Sequence, residues 1–422
     1  MAIVLNLDSF GLVTNSPFQL VLLILSFTLA SVAWLNVFVA KCKPGAKRLA
    51  ASAPVILWLL CIPLLWNHKG HIVVRVSFLF ASAWLGTFKV LAMCLNRGPL
   101  AKPRGFLQTL AILMLPVYTA DTAGGGNKIQ GRLHDEAGSP GILMLQGIAK
   151  TVLLVAVVFV AVNLQIATIL HNYILAFGMV GFLGIIMDLP ASLVCGALGM
   201  KIIPTFDQPW LSTSLADFWG RRWNITTSSV LRTVIHDTIM EGRLVKPKTG
   251  PAMLHAAEPA AADHHHPHHH RDHHQQQVHK EARHKREVRR AVGLTLTFLV
   301  SGVAHEIILC QLQDEARGPW RWKWLTFFTI QAPLVLAELW LKRWWLQRKR
   351  LPPLPAVLAC GLTTLLLISL STPLFFTPAE HETDTAQRMI DALLSGFKFL
   401  ASALRGLMPS SAALPEMQVS EL

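Results

Sequence analysis

The chain has 422 residues, of which 52% are hydrophobic and 15% charged, with a formal net charge of +14. Soluble domains carry about 25% charged residues, so this balance points to an integral membrane protein. Basic residues fall in short clusters between apolar runs, with no basic groove interleaved with aromatics. That pattern fits topology signals and an anionic leaflet and argues against nucleic acid as a partner.

Apolar runs long enough to span a bilayer lie at about 18–40, 76–96, 148–170, 173–199, 291–312, 324–341 and 354–376. A shorter run near 52–66 is marginal against the requirement for about 20 residues, and 105–118, with Pro116, is too short to cross. The basic loops 41–48, 98–104, 200–290 and 342–350 belong on the cytosolic side by the positive-inside rule. Two such loops must be separated by an even number of crossings. Run 52–66 therefore crosses, whereas 105–118 is re-entrant or interfacial. The expectation is an all-α polytopic protein with eight crossings and its N-terminus outside. A tail near 386–408 is amphipathic and suited to lie on the membrane. The chain divides into N-terminal membrane helices (1–199), a cytosolic segment (200–247), a disordered His-rich and basic loop (248–290), C-terminal membrane helices (291–376) and the tail (377–422).

Cys42, Cys61, Cys94, Cys195, Cys310 and Cys360 are scattered, mostly within apolar runs, and read as small embedded hydrophobes instead of a disulfide framework. No cleavable signal peptide is expected, since the N-terminus lacks a basic n-region and the first apolar run is long.

Polar and aromatic chemistry concentrates in SLADFWGRRWN, residues 214–224. Ser214 and Asp217 have capping-box spacing, which predicts a helix start. On a continuous helix, Asp217 and Asn224 share one face and Trp219 and Trp223 another. Tryptophans beside Arg221 and Arg222 suit the headgroup level, where guanidinium groups can hold phosphate oxygens. A plain interfacial anchor helix would explain the aromatics and arginines, but not the asparagine that closes the stretch.

The second concentration is FLVSGVAHEIILC, residues 298–310. His305 lies about 22 Å along a helix from Arg290, deep in an apolar span, with Glu306 beside it. Ionisable groups at that depth are costly and are functional candidates. A structural histidine bonded to a neighbouring helix is the simplest alternative. A zinc-protease HExxH fails, because position 309 is Leu309. Gly302 permits close approach of another helix. A neutral imidazole keeps a lone pair able to take a proton, and a water-poor cavity protects an activated acyl group from hydrolysis. Together with arginines for phosphates, this suggests acyl transfer from coenzyme A to a lipid-soluble acceptor.

SLADFWGRRWN followed some 80 residues later by SGVAHE resembles the wax synthase branch of the membrane-bound O-acyltransferases. The resemblance covers roughly residues 150–376; the N-terminal third is similar only in hydropathy. It implies a fold with a central tunnel in the endoplasmic reticulum membrane. It implies His305 and Asn224 as catalytic residues, with Glu306, Asp217, Trp219 and Trp223 supporting them and Arg221 and Arg222 near the phosphates of acyl-CoA. The implied reaction esterifies a long-chain alcohol, or in some plant members a sterol, with a fatty acyl group. Acyl-CoA is a co-substrate, and no cofactor or metal is expected. After the motif, relatives often read LRP.VY where this chain has Leu231, Arg232, Thr233, Val234, Ile235 and His236, which leaves the acceptor open between a fatty alcohol and a sterol or terpenoid. Oligomeric state is not legible. The tract HHHPHHHRDHH within 248–284 supports a rival reading as a metal transporter with a His-rich loop; a tolerated low-complexity insertion explains it more simply.

Overall fold

The computed structural model describes residues 17–66, 71–120, 139–164, 168–247, 271–347 and 354–407. Among them there is no strand beyond two isolated bridges, Thr119 with Ile202 and Ala316 with Thr383. Among the described residues, eight helices are long and apolar enough to cross a membrane: Phe18–Lys41, Ala46–Leu65, Ile72–Cys94, Pro140–Ala161, Leu170–Leu198, Glu281–Leu312, Lys323–Trp345 and Ala356–Glu382. They are called the first to eighth spans below. Helices are the expected solution, because hydrocarbon offers no partner for an unpaired backbone group.

The marginal run near 52–66 is the end of a full span. Its helix starts at Ala46 and takes the basic residues into its first turn. Arg48 is buried there and donates to the carbonyls of Cys42 and Met93 at 2.8–3.1 Å. The apolar count from sequence therefore misses the first turns of this crossing.

Residues Phe106–Met114 form a helix of nine residues, about 14 Å long and too short to cross. Its C-terminal carbonyls are met by a fully buried lysine of the third span: Lys89 Nζ donates to Ile112 O at 2.8 Å and Leu115 O at 2.7 Å. Helix-end carbonyls lack intrahelical partners, and here a side-chain amine supplies one. The third span is not uniform. It runs as α-helix to Phe78, widens to a π-helix over Leu79–Gly86, and returns to α-helix over Thr87–Cys94.

The fourth and fifth spans pack face to face over glycines. A Cβ at Gly181 would meet Lys150 O at 2.9 Å and Leu154 N at 3.1 Å, so only a residue without one allows this approach. Lys150 and Asp188 pair across the same contact. The sixth and seventh spans meet at Gly302, where a Cβ would lie 2.9 Å from Leu325 O.

The helix of the sixth span begins at Arg271, so the part of segment 248–290 within the described residues is helical, not disordered. Its Glu, Ala, Lys, Arg and Gln are good helix formers that extend the span outward. Residues 248–270, with most of the His tract, lie outside the described residues. The tail forms a helix over Thr385–Leu407. Asp384 anchors its start by accepting from Asp314 N at 2.9 Å and Glu315 N at 3.2 Å, and Arg388 donates to Leu312 O at 2.7 Å.

Candidate active site

The stretch 214–224 is not one helix. Ser214 caps a single turn, Leu215–Asp217, its Oγ accepting from Asp217 N at 3.1 Å. A π-turn follows over Phe218–Arg222, and the chain then breaks, with Trp223 extended and Asn224 left-handed at φ 40°. Asparagine is among the few residues that adopt this region readily. The break exists because Asn224 starts a second helix, Ile225–Leu231, and its Oδ1 accepts from Thr227 N at 3.2 Å. The side-chain amide NH2 is left over as a donor. The expected shared faces of Asp217 with Asn224 and of Trp219 with Trp223 do not arise, since no common helix axis runs through them.

Asp217 does more than cap. It is buried, pairs with Arg221, and accepts from Arg222 Nε at 2.9 Å and Thr213 N at 3.3 Å. Burial alone would raise this carboxyl; the Arg222 hydrogen bond and the two guanidinium charges outweigh it and hold it below the ordinary carboxylate range. Arg222 is further committed, donating to Asp207 O at 3.0 Å. Arg221, with 43% of its side chain exposed, keeps a free edge toward solvent.

The tryptophans face inward instead of anchoring the loop at the headgroups. Trp219 donates from Nε1 to Gln331 Oε1 of the seventh span at 3.0 Å and meets Phe298 and Phe328 edge-on. Trp223 stacks on Phe218 with centroids 5.2 Å apart. Glu338, two turns along the seventh span from Gln331, accepts from Ala216 N at 3.0 Å.

The sixth span carries the histidine, and the seventh packs against its ring. His305 lies with its ring stacked on Phe328, centroids 3.9 Å apart, and nearly perpendicular to Trp84, centroids 4.7 Å apart. Its Nδ1 is 2.7 Å from Ser301 O. A carbonyl can only accept, so Nδ1 carries a proton, and in the neutral ring Nε2 keeps the lone pair. Glu306 turns away from the histidine. Its carboxylate accepts from Trp322 N at 2.6 Å and Leu325 N at 3.1 Å, capping the seventh span.

His305, Asn224, Trp219, Trp223, Trp84 and Phe328 all line one cavity of about 600 Å³, apolar over most of its wall. Tyr173, Glu380 and Thr385 also line it, and Glu380 pairs with His171 at 2.8 Å. Among the described residues no cluster of three or more His, Cys, Asp or Glu could hold a metal ion. The geometry offers a base with a free lone pair and an amide donor around an apolar chamber, which suits proton abstraction from a lipid hydroxyl next to a polarised carbonyl.

Ten curated proteins match the chain with significance. An acyl-CoA–sterol O-acyltransferase of Arabidopsis thaliana is 26% identical over 84% of this chain and 88% of its own length. A probable long-chain-alcohol O-fatty-acyltransferase of the same plant is 24% identical over 87% and 91%. The long-chain-alcohol O-fatty-acyltransferase of Simmondsia chinensis is 32% identical over 44% and 52%. Over most of its length the chain is thus similar to long-chain-alcohol O-fatty-acyltransferases, the wax synthases that its motifs resemble. No protein-family model matches it. With eight apolar helices among its described residues and such relatives, it is a multi-pass membrane protein of acyltransferase type.

Phe328, Gln331, Glu338 and Trp84 escaped the sequence reading. Gln331 and Glu338 did carry a signal: two polar residues seven apart, on one face of an otherwise apolar run. Phe328 and Trp84 carried none, because aromatic residues are ordinary in a span.

Proposed function

We propose that this protein transfers a fatty acyl group from acyl-CoA to the hydroxyl of a long-chain alcohol, forming a wax ester, in the endoplasmic reticulum membrane. One observation carries the reading: a histidine whose Nδ1 is engaged by Ser301 O, leaving Nε2 for substrate, and an asparagine with a spare amide donor line the same apolar cavity. His305 Nε2 takes the hydroxyl proton as the alcohol oxygen attacks the thioester carbonyl. The Asn224 amide donates to the substrate at the reacting centre. The tetrahedral intermediate collapses with cleavage of the C–S bond, and the coenzyme A sulfur takes the proton back from His305. No resident cofactor is needed, since the thioester supplies the leaving group. Arg221, with its free edge, is the better candidate of the two arginines for the coenzyme's phosphates. Arg222 keeps the motif folded.

A sterol acceptor is the second reading. The observation behind it is a relative named as a sterol acyltransferase that matches 84% of the chain. Purified protein given labelled acyl-CoA and a panel of fatty alcohols, sterols and terpenoid alcohols separates the two. Zinc uptake into vesicles without any ester formed would instead support the transporter reading.

Asn224→Asp tests the amide. Aspartate tolerates a left-handed backbone and can cap Thr227, but it has no NH2 to donate. The variant should accumulate normally and lose about 10²-fold in kcat with KM for acyl-CoA little changed. Turnover within twofold of wild type would remove Asn224 from the chemistry.

A further inference from the structure

The cavity that holds His305 and Asn224 carries a second polar locus, which the reaction above does not use. Glu380 is the only carboxylate among the described residues that line it. His171 Nε2, from the start of the fifth span, lies 2.8 Å from Glu380 Oε1. The other oxygen, Oε2, has no hydrogen-bond partner among the described residues. Unlike Glu382 Oε2, which is both unpaired and closed off, it keeps accessible surface, and 13% of the Glu380 side chain is exposed. Tyr173, two residues along from His171, lines the same cavity. Its hydroxyl is likewise unpaired among the described residues and not closed off.

Glu380 sits on fixed backbone. It lies in the π-helical end of the eighth span, Pro378–Glu382. Before it, Phe375 O accepts from Trp324 Nε1 at 2.8 Å; after it, Glu382 O accepts from Arg317 N at 2.7 Å. Asn172 Nδ2 donates to Thr372 Oγ1 at 2.9 Å and ties the fifth span, with His171, to the eighth. Helix geometry gives its place relative to the base. The Phe375 ring centroid is 6.4 Å from that of His305, and Glu380 follows Phe375 by five residues, about one π-helical turn. The residues between them that line the cavity, Phe376 and Ala379, are apolar.

A plain hydrocarbon chain filling this chamber would leave Glu380 Oε2 unpaired in apolar surroundings, which is costly. A hydroxyl removes that cost. It donates to the carboxylate, can accept from Tyr173, and brings no charge into the chamber. A carboxylate end group would be repelled, and an ammonium would lose its hydration on entry. We propose that Glu380, held by His171, is a specificity-determining residue that receives a second hydroxyl on the substrate chain, about one helical turn from the reacting centre. The proposal rests on the acyltransfer reading above. That hydroxyl belongs to a diol acceptor or to a hydroxylated acyl chain; both present the same group to Glu380.

The test measures ester synthesis by the purified protein in two arms. One pairs plain labelled acyl-CoA with straight-chain α,ω-alkanediols of increasing length, against mono-alcohols of the same lengths. The other pairs a mono-alcohol with ω-hydroxyacyl-CoA of increasing length, against plain acyl-CoA. In one arm kcat/KM for the hydroxylated chain should exceed that of its plain counterpart about ten- to hundredfold, with an optimum in length, and that arm names the substrate. Glu380→Leu should bring the preference within twofold. Glu380→Gln keeps an acceptor beside His171 and should retain a few-fold preference; it serves where the leucine variant fails to accumulate. Wild type that uses plain and hydroxylated chains within twofold in both arms overturns the proposal and leaves the acyltransfer reading standing. So does a preference that the variants retain in full. Wild type that esterifies no alcohol, plain or hydroxylated, overturns the acyltransfer reading and the proposal with it.

Discussion

Asn224 and His305 look into one chamber but are held there by opposite means. Around Asn224 the chain is fixed by charge and hydrogen bonds: Asp217 gathers Arg221 and Arg222, Arg222 reaches Asp207 O, and Glu338 and Gln331 reach in from the seventh span. Around His305 there is one hydrogen bond, to Ser301 O, and otherwise rings: Phe328 on one face, with Trp84, Trp324 and Phe375 edge-on. The first region lies at the end of the membrane chemistry, where polar groups can be partnered densely. The second lies inside a span, where every added polar group needs a partner of its own. Rings restrict an imidazole there without adding donors or acceptors that would compete for its lone pair.

The contrast is broken most severely at the base itself. His305→Ala should accumulate in membranes, since the ring cage has no charge to strand, yet lose about 10² to 10⁴ in ester-forming rate. Near-normal turnover would remove His305 from the reaction. Arg222→Ala should behave in the reverse manner. It leaves the buried Asp217 with Arg221 alone, and breaking a buried pair from one side costs about 3 kcal/mol or more. The expected result is a lowered thermal midpoint and poor accumulation, with kcat of the surviving protein little changed. A stable Arg222→Ala with an altered KM for acyl-CoA would mean that this arginine serves substrate after all. Arg221→Ala should be mildest. Its half-exposed bridge contributes about 0–1 kcal/mol, so stability should hold while KM for acyl-CoA rises a few-fold. An unchanged KM would take Arg221 off the phosphate path.

How much of this was legible depends on what each residue's signal is. Spans announce themselves by apolar length, and loop charge parity assigned the run near 52–66 as a crossing and 105–118 as none; both match the helices Ala46–Leu65 and Phe106–Met114. His305 stood out because an ionisable residue in hydrocarbon is rare. The break at Trp223 and Asn224 did not, because capping-box spacing at Ser214 fits a long helix as well as a single turn. The fate of Arg222 was hidden for a related reason: sequence gives a charge but not whether a partner has already taken it. Ring contacts such as Phe328 on His305 depend on two helices meeting in one register, which no local pattern encodes.

Glu306 has a consequence for the order in which the molecule is made. The residue is 6% exposed, and its carboxylate is satisfied by the backbone of Trp322 and Leu325, 16 and 19 residues further on. While the ribosome has delivered only the sixth span, that carboxylate has no partner and is costly to leave in hydrocarbon. The sixth and seventh spans should therefore enter the bilayer as a hairpin, with the helix that carries His305 waiting at the translocon for its neighbour. A nascent chain ending at Gln313 should insert its sixth span less completely than one ending at Gln347, as engineered glycosylation sites would read, and Glu306→Gln should narrow that gap. Equal insertion of the two lengths would mean that the helix can enter alone.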